Sequence, residues 1–354
     1  MISSLRRGGA EGVCARLAQA LAARGDGVSV ITLAPQDSDG YPLPSAVRRV
    51  GLDLEGESGG LLGGLIGNLR RLRALRDALR RQPDGPVVAL LAVTNVLTVL
   101  AATGLGRRVV VCERNDPRRQ SFGRLWDRLR RWAYPRADLV TINNPAIEPV
   151  MRSWGVRDVA AVENPPPPMP GFTAAPDQAR RILHVGRLEA QKAQDVLLRA
   201  FAVLAGDFPD WRLVIVGDGS LGPVLHRLAD ELAIAGRIDW IGRTDAMDVL
   251  YRTAALFALP SRFEGTPNAL LEAMAAGLPV IVSDQIGGGL AHVEPEDNGL
   301  VAPVDDVAAL SAALRRLMED ADARKRLGAA ARRRMHANGA DLLPASWDQA
   351  FGFG

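Results

Sequence analysis

Two cations stand directly after a predicted strand and before a helix, a position that suits an anionic ligand. The strand Arg181–Val185 leads through Gly186 into Arg187, and Lys192 comes just before a helical stretch. A cation near a helix N-terminus opposes the helix dipole by roughly 0.3–1 kcal/mol, so a nearby anion would explain its presence. Lysine is also rare, because Lys192 and Lys325 are the only two in 354 residues. The pattern predicts a phosphate or diphosphate site; the alternative is that Lys192 is an ordinary surface residue.

Two carboxylates follow the predicted strand that ends at Leu259. Glu264 precedes a predicted helix and Glu272 lies in its second turn. Thr266 is a suitable N-cap for that helix, and Pro267 is a suitable first residue. One carboxylate can therefore hold one end of a ligand and the other a point further along, with the helix N-terminus between them available to a phosphate.

A glycine-rich loop, Gly217–Gly222, follows the predicted strand Arg212–Val216 and matches the G-x-G-x-x-G pattern of dinucleotide-binding loops. The acidic residue that would bind the ribose should end the next strand, whereas Asp239 falls inside Ile238–Ile241. An NAD(P)-dependent oxidoreductase that uses this loop stays an alternative.

Apolar strands alternate with helices along the chain, and these elements must position the residues named above. The alternation predicts an α/β fold of parallel sheets covered on both faces. The predicted helices of the first half are Glu11–Arg24, Leu61–Arg81 and Asn95–Thr103, the last capped by Thr94 or Asn95. The other predicted strands are Gly27–Leu33, Val87–Val93, Val109–Cys112, Leu139–Ile142, Ala255–Leu259, Pro279–Ser283 and Gly299–Ala302.

The proline-rich run Asn164–Gly171 predicts a stiff connector between two domains, residues 1–165 and 172–342. Ligands of open parallel sheets lie beyond the carboxyl ends of the strands. With two sheets face to face, the site is expected in the cleft between them.

Composition excludes several classes of protein. The 43 Lys+Arg, 40 Asp+Glu and 47% apolar residues are typical of a soluble globular chain. Cys14 and Cys112 are the only cysteines and the four histidines lack ligand spacing, so neither a disulfide framework nor a metal site is expected. The N-terminus lacks the apolar core of a signal peptide, which predicts a cytoplasmic protein. The uncharged stretch from Pro86 to Gly106 is interpreted as a strand and a helix rather than a membrane span.

Positive charge is concentrated in the first half, where residues 1–165 hold 24 Lys+Arg and 16 Asp+Glu, against 19 and 24 in the remainder. The arginines cluster in Asn68–Arg81 and Arg118–Arg136, and the second cluster contains Leu125, Trp126, Leu129 and Trp132 at helical spacing. Such a helix can dock on an anionic membrane surface, here the inner face of the cytoplasmic membrane, or it can simply cover a core. Nucleic acid is not expected as a partner, because no recognition motif accompanies the arginines.

Several motifs together resemble glycosyltransferase family 4. They are Arg187 and Lys192 after one strand, the segment S-R-F-E-G-T-P-N-A-L-L-E-A with Glu264 and Glu272, and the loop Gly8-Gly9-Ala10-Glu11. The segment Glu113-Arg114-Asn115-Asp116-Pro117-Arg118 is similar to a subgroup that builds bacterial surface polysaccharides and lipid-linked oligosaccharides. The resemblance implies a GT-B fold of two Rossmann-like domains. It also implies that residues 343–354, with Trp347, pack back on the first domain.

The implied reaction moves a sugar from a nucleoside diphosphate to an acceptor hydroxyl with retention of anomeric configuration. Arg187 and Lys192 would stabilise the departing diphosphate, Glu264 would face the donor sugar, and Glu272 would accept hydrogen bonds from the ribose. Further donor-binding residues implied by the resemblance are Gly8, Gly9, Gly186, Gly242, Arg243, Gly265, Thr266, Asn268, Ala269 and Leu270. No metal or cofactor is implied, and the donor is expected to be a UDP-hexose or UDP-N-acetylhexosamine.

The candidates for the acceptor side are Glu113, Asn115 and Asp116, although Asp116 is equally a turn former before Pro117. The acceptor is expected to be a polysaccharide or a lipid-linked saccharide.

Three positions depart from the family pattern. Met1–Leu5 is only the end of the strand that usually precedes the Gly-Gly loop, so either a start further upstream or a weakened first domain is expected. Ala291 stands where Glu is frequent, which removes one donor-side contact. Ala193 follows Lys192 where Gly is usual, which is tolerable if its φ is negative. Because the first sheet is shortened, a nucleotide-sugar-binding scaffold without turnover is a second alternative.

Overall fold

The computed structural model describes residues 1–56, 60–165, 180–337 and 346–352. The chain divides into two compact units, of which unit 1 is Met1–Pro165 with Asp341–Gly354 and unit 2 is Pro166–Ala340. Most of the predicted proline-rich connector lies outside the described residues, as do residues 172–179 and 338–342 at the edges of the predicted second domain.

The strands of unit 1 are parallel and form a two-stranded sheet, β1-β2, and a four-stranded sheet, β3-β4-β5-β6. They are β1 (Ser29–Thr32), β2 (Arg48–Gly51), β3 (Val87–Leu90), β4 (Val109–Glu113), β5 (Leu139–Ile142) and β6 (Val159–Ala161). The amide of Ile2 donates to the carbonyl of Ile31 at 3.1 Å, and the amide of Leu90 donates to the carbonyl of Met1 at 2.9 Å. Residues 1–3 thus lie between β1 and β3.

The helices of unit 1 cover both faces of these sheets. They are α1 (Gly9–Ala23), α2 (Gly60–Arg80), α3 (Ala92–Ala102), α4 (Arg124–Ala133), α5 (Glu148–Ser153) and α12 (Ser346–Phe351). Side chains of α2, α3 and α4 share one apolar cluster with alternate strand residues, and those of α1 and α12 share another. Trp347 of α12 is fully buried in the second cluster, and its Nε1–H donates to the carbonyl of Glu163 at 2.8 Å.

Unit 2 is built on one parallel sheet of six strands in the order β12-β11-β10-β7-β8-β9. The strands are β7 (Arg181–Val185), β8 (Arg212–Val216), β9 (Ile238–Ile241), β10 (Leu256–Leu259), β11 (Val280–Ser283) and β12 (Gly299–Ala302). The helices are α6 (Gln194–Leu204), α7 (Gly222–Glu231), α8 (Met247–Thr253), α9 (Asn268–Ala275), α10 (Val307–Glu319) and α11 (Ala321–Ala337). The predicted α/β fold of parallel sheets is confirmed.

Two predicted helix starts are wrong. α3 begins at Ala92, because Leu91 at φ 78° ends the strand, and Asn95 lies inside the first turn rather than at the cap. α9 begins at Asn268 with Pro267 as its N-cap residue and no side-chain cap, so Thr266 is not the cap.

The uncharged stretch from Pro86 to Gly106 contains β3 and α3, as predicted. Within the described part of the chain, no helix combines the length and the apolar character needed to cross a membrane.

Candidate functional site

The residues predicted to bind an anion and a sugar meet at the carboxyl edge of the sheet of unit 2. β7 and β10 are neighbours in that sheet, so the segments that follow them lie side by side. Lys192 Nζ lies 2.5 Å from Glu264 Oε1, and the two side chains are only 14% and 7% exposed. The structure therefore brings together a cation and a carboxylate that are 72 positions apart in the chain.

The carboxylate of Glu264 is held by two further donors that the sequence did not reveal. The hydroxyl of Ser261 donates to Oε1 at 2.8 Å, and the amide of Gln191 donates to Oε2 at 3.3 Å and to the carbonyl of Phe263 at 2.9 Å. Ser261 is the first residue of the recognised motif, but nothing in the spacing identifies which hydroxyl of that motif turns inward. Glu264 is thus fixed by donors from both segments.

Arg262 ties three of these segments together. Its guanidinium pairs with Asp195 at 2.8 Å and with Asp305 at 2.7 Å, and it donates to the carbonyl of Ala190 at 2.7 Å. Ala190 follows β7, Asp195 lies in the first turn of α6, and Asp305 follows β12. The side chain of Arg262 therefore links the segments that form the carboxyl edge of the sheet at the site.

Lys192 precedes the helix rather than lying in it. It ends a 3₁₀ turn, Ala190–Lys192, and Ala193 then takes a left-handed conformation at φ 52° before α6 begins. Ala193 would replace the usual glycine without strain only if its φ were negative. The positive φ shows that this condition is not met. A Cβ added to Gly186 would lie 3.1 Å from Lys192 Cδ, so the lysine stem packs directly over that glycine.

Arg187 is exposed, but its backbone is anchored by buried polar groups. Gln194 donates to the carbonyl of Arg187 at 2.8 Å and lies 3.2 Å from His184 Nε2, while His184 Nδ1 lies 2.9 Å from the carbonyl of Ala258. A carbonyl can only accept, so Nδ1 carries the proton and Nε2 accepts from Gln194. Burial lowers the pKa of His184 to about 4, and the nearby charge of Lys192 acts in the same direction. The imidazole is therefore neutral at pH 7.

The glycines of Gly217–Gly222 are explained by packing within unit 2. A Cβ on Gly217 would lie 2.2 Å from the carbonyl oxygen of Gly186, and one on Gly219 would lie 2.4 Å from that of Leu188. The loop thus presses against the backbone around Arg187, which accounts for the G-x-G pattern without a dinucleotide.

The remaining residues of unit 2 that the sequence predicts to bind the donor lie after β9 and in or just before α9. Arg243, beside Gly242 after β9, pairs with Asp218 at 2.8 Å. Glu272 of α9 accepts a hydrogen bond from the hydroxyl of Tyr251 at 2.9 Å. Gly265, Thr266 and Leu270 are buried, while Asn268 and Ala269 are partly exposed at the start of α9. The side chain of Leu270 packs in the core, so only its backbone is available to a ligand.

In unit 1, Glu113 lies in a buried polar cluster beneath the predicted acceptor-side residues. Its Oε2 accepts from the hydroxyl of Tyr134 at 2.8 Å and from Arg130, and Oε1 accepts from the amides of Arg114 and Asn115 at 2.9 and 3.1 Å. Burial and the charge of Glu113 raise the pKa of Tyr134, so its hydroxyl stays protonated. Glu113 is only 3% exposed, which favours positioning of Asn115 over direct contact with an acceptor.

Asp116 was predicted either to bind the acceptor or to form a turn before Pro117, and in the structure its side chain forms the turn. Its carboxylate accepts from the amide of Arg118 at 2.9 Å and pairs with the Arg118 guanidinium at 2.7 Å. Burial raises the pKa of Asp116, but the hydrogen bonds and charge of Arg118 outweigh it and lower the pKa overall.

Gly8 is the N-cap residue of α1, and Gly9 is the first residue of that helix. A Cβ on Gly8 would lie 2.3 Å from Glu11 Oε2, so the carboxylate of Glu11 occupies the space beside this glycine.

Comparison with known proteins identifies two families in this chain. The family described as glycosyl transferases group 1 matches residues 169–334, and the glycosyl transferase 4-like domain matches residues 8–167. The GalNAc-α-(1→4)-GalNAc-α-(1→3)-diNAcBac-PP-undecaprenol α-1,4-N-acetyl-D-galactosaminyltransferase of Campylobacter jejuni is 27% identical over 92% of this chain and 90% of its own. The chain spans less than half the length of several other curated relatives.

Solved structures share the fold at lower identity. Sucrose-phosphate synthase from Thermosynechococcus elongatus aligns with a TM-score of 0.81 at 22% identity, over 99% of this chain and 95% of its own. HepE of Anabaena, solved in complex with UDP-glucose, aligns with a TM-score of 0.76 at 19% identity, over 99% and 97%. Since the two matched families cover nearly all of the described chain and the fold agrees, the chain belongs to the GT-B glycosyltransferases of the family 4 type.

Proposed function

We propose that this glycosyltransferase transfers a hexose or N-acetylhexosamine from a UDP-sugar to a polysaccharide or lipid-linked saccharide, with retention of configuration and without a metal ion. The observation that carries the proposal is the Lys192–Glu264 pair at the carboxyl edge of unit 2, where Arg187 lies in the same loop as Lys192. HepE, which shares the fold, binds UDP-glucose, and the Campylobacter jejuni relative is named for a PP-undecaprenol substrate.

The pair can serve both parts of a sugar donor. Lys192 has three N–H donors and gives one of them to Glu264, so it can bind a phosphate while it stays paired. The guanidinium of Arg187 has no hydrogen bond or ion pair to any of the described residues, so it can turn fully to the same diphosphate. Each close pair of opposite charges interacts by about 4 kcal/mol at an effective dielectric constant near 20, before desolvation. Because charge on the diphosphate grows as the glycosidic bond breaks, these cations stabilise the transition state more than the bound donor.

Glu264 is positioned to face the donor sugar. Its carboxylate is fixed by Lys192, Ser261 and Gln191, so little reorganisation is needed when a sugar hydroxyl donates to it. Glu272 lies about one helical turn from the start of α9 and would accept hydrogen bonds from the ribose hydroxyls. We propose that the lipid-linked acceptor places the protein at the inner face of the cytoplasmic membrane.

Equilibrium binding of UDP to the purified chain, with GDP, ADP and NADH as comparators, tests the donor. Selective UDP binding supports the proposal, and NADH binding alone would overturn it. Lys192→Ala should weaken UDP binding and abolish most sugar transfer, while Lys325→Ala, which changes the only other lysine, should leave both unchanged.

Turnover tests the reaction. Transfer from a panel of UDP-sugars should continue in excess EDTA, and the anomeric proton coupling of the product should match that of the donor sugar. An inverted product or a loss of transfer in EDTA would contradict the mechanism, and UDP-sugar binding with no transfer to any acceptor would leave the scaffold alternative.

A further inference from the structure

Large apolar side chains are exposed in unit 1 in an unusual grouping. Eight such side chains are well exposed in the described part of the chain, and five of them are Ile66 and Leu69 on α2, Phe122 just before α4, and Leu125 and Trp132 on α4. Leu125 is 68% exposed and Ile66 is 67% exposed. We call these five the basic apolar surface, because arginines surround them.

The charge around this surface has one sign. Arg70 and Arg73 are exposed on α2 beside its two apolar residues, and Arg124, Arg128 and Arg131 are exposed on α4. Within residues 66–81 and 118–136 there are 13 arginines and only two acidic residues, Asp77 and Asp127. Exposed cations that flank exposed apolar groups suit a partner that is anionic on its surface and apolar beneath.

The single acidic residue of the second segment is used internally. The carboxylate of Asp127 accepts from the hydroxyl of Ser121 at 2.5 Å and from the amide of Phe122 at 3.1 Å. This contact holds Phe122 just before the first residue of α4, the helix that carries Leu125. Asp127 therefore shapes the surface rather than neutralising it.

The geometry fits a flat partner. Leu125 and Trp132 are two helical turns apart, so both project from one face of α4 about 10 Å apart, with Arg128 between them. α2 and α4 both pack against the buried helix α3, so the exposed sides of α2 and α4 lie on the same side of the sheet. α2 follows β2 and α4 follows β4, and in a parallel sheet both helices begin at the carboxyl edge, where Asn115 also lies.

We propose that the basic apolar surface docks unit 1 on an anionic lipid bilayer, with α4 lying in the plane of the headgroups and Leu125, Trp132 and Phe122 inserted. This orientation sets the carboxyl edge of unit 1 beside the lipid, where a lipid-linked acceptor would arrive. The inference deepens the proposed membrane location and names the surface responsible.

Vesicle binding of the full chain tests the inference without donor or acceptor, so its outcome is independent of the proposed reaction. Wild type should bind vesicles of mixed phosphatidylglycerol and phosphatidylcholine, release them at 0.5 M salt, and bind pure phosphatidylcholine poorly. The double variant L125S/R128Q should bind at least tenfold more weakly, since each arginine near an anionic surface contributes about fivefold.

The matched control is R199Q/V203S, which removes an exposed arginine and an exposed valine from one face of α6 in unit 2. It should bind the vesicles as wild type does. Equal vesicle binding by L125S/R128Q and the control would overturn the inference. Equal binding of the wild-type chain to the anionic vesicles and to pure phosphatidylcholine would overturn it too. Sedimentation of the lipid-free chain tests whether the surface instead binds a second copy of the chain. A dimer that the L125S/R128Q substitutions dissociate would show this and would overturn the membrane-docking inference.

Discussion

Ala193 carries strain at the point where the site is formed. Its φ of 52° is a conformation that costs an L-residue with a Cβ roughly 1–2 kcal/mol relative to glycine. Ala193→Gly relieves that strain but loses a buried methyl group and gains freedom in the unfolded chain, so we expect a change in unfolding free energy near zero. Urea denaturation measures it.

The matched control for this substitution is Ala200→Gly in the middle of α6, where the alanine is equally buried. There no strain is relieved, so Ala200→Gly should destabilise the protein by at least about 1 kcal/mol more than Ala193→Gly. Equal losses at the two positions would mean that Ala193 is not strained in solution.

His184 makes the stability of unit 2 depend on pH. Its pKa is lowered to about 4 by burial, whereas the unfolded chain protonates histidine near pH 6.5. Between these values the unfolded state binds a proton that the folded state does not, so stability is full above pH 6.5 and falls as the pH drops towards 4. The free energy of unfolding should fall by about 3 kcal/mol in total, because each unit of difference between the folded and unfolded pKa is worth about 1.4 kcal/mol.

Unfolding free energies at several pH values between 4 and 7 test this assignment. His184→Asn should be less stable at pH 7 but should lose this part of the pH dependence, whereas His226→Asn, on the exposed side of α7, should follow wild type. A His184→Asn curve parallel to that of wild type would contradict the buried neutral imidazole.

At the scale of elements, the loop Gly217–Gly222 and the loop around Arg187 behave as one unit. A Cβ on Gly219 would meet backbone atoms of Leu188 at 2.4–2.7 Å, and backbone cannot move aside as a side chain can. Gly219→Ala should therefore destabilise unit 2 by about 1–3 kcal/mol and weaken UDP binding, because the displaced Leu188 carries Arg187 with it. Gly206→Ala, with nothing within 4 Å of the added Cβ, should be neutral or slightly stabilising.

Thermal unfolding and UDP binding of the two glycine variants together separate the explanations. If Gly219→Ala were as stable as Gly206→Ala, the glycine would have no packing role, and the dinucleotide-loop interpretation would need to be considered again.

Sequence patterns predicted the elements well and their ends less well. The short apolar run Val109–Cys112 was recognisable as a strand, because a strand buried on both faces is mostly apolar, and the observed strand extends it by one residue, Glu113. The start of α3 was predicted wrongly, because nothing in the sequence indicates the positive φ of Leu91 that precedes the helix. At the site, the charged residues after the strands were recognisable from the sequence. The role of Gln191 was not, because it arises only when β7 and β10 become neighbours. The role of Ser261 was not either, because it depends on the local turn that brings its hydroxyl to Glu264 three residues later.

At the scale of the whole molecule, the C-terminal segment follows unit 2 in the chain but belongs to unit 1 in the structure. α12 is the last described helix, yet Trp347 is buried in unit 1, its ring stacks on Phe351 with 5.7 Å between centroids, and the guanidinium of Arg114 lies 5.3 Å from its centroid. Arg114 precedes Asn115, so the C-terminal segment supports the predicted acceptor side of the first unit.

The contribution of this tryptophan should be confined to its own unit. Trp347→Ala removes a fully buried indole and a hydrogen bond to Glu163, and it should destabilise unit 1 by about 3–5 kcal/mol. Trp211, 2% exposed in the core of unit 2, offers the crossed control. Hydrogen exchange followed peptide by peptide should show faster exchange in β3–β6 for Trp347→Ala and in β7–β9 for Trp211→Ala. Faster exchange in the strands of unit 2 for Trp347→Ala, with unit 1 unchanged, would contradict the assignment of α12 to unit 1, since a buried side chain stabilises the core in which it packs.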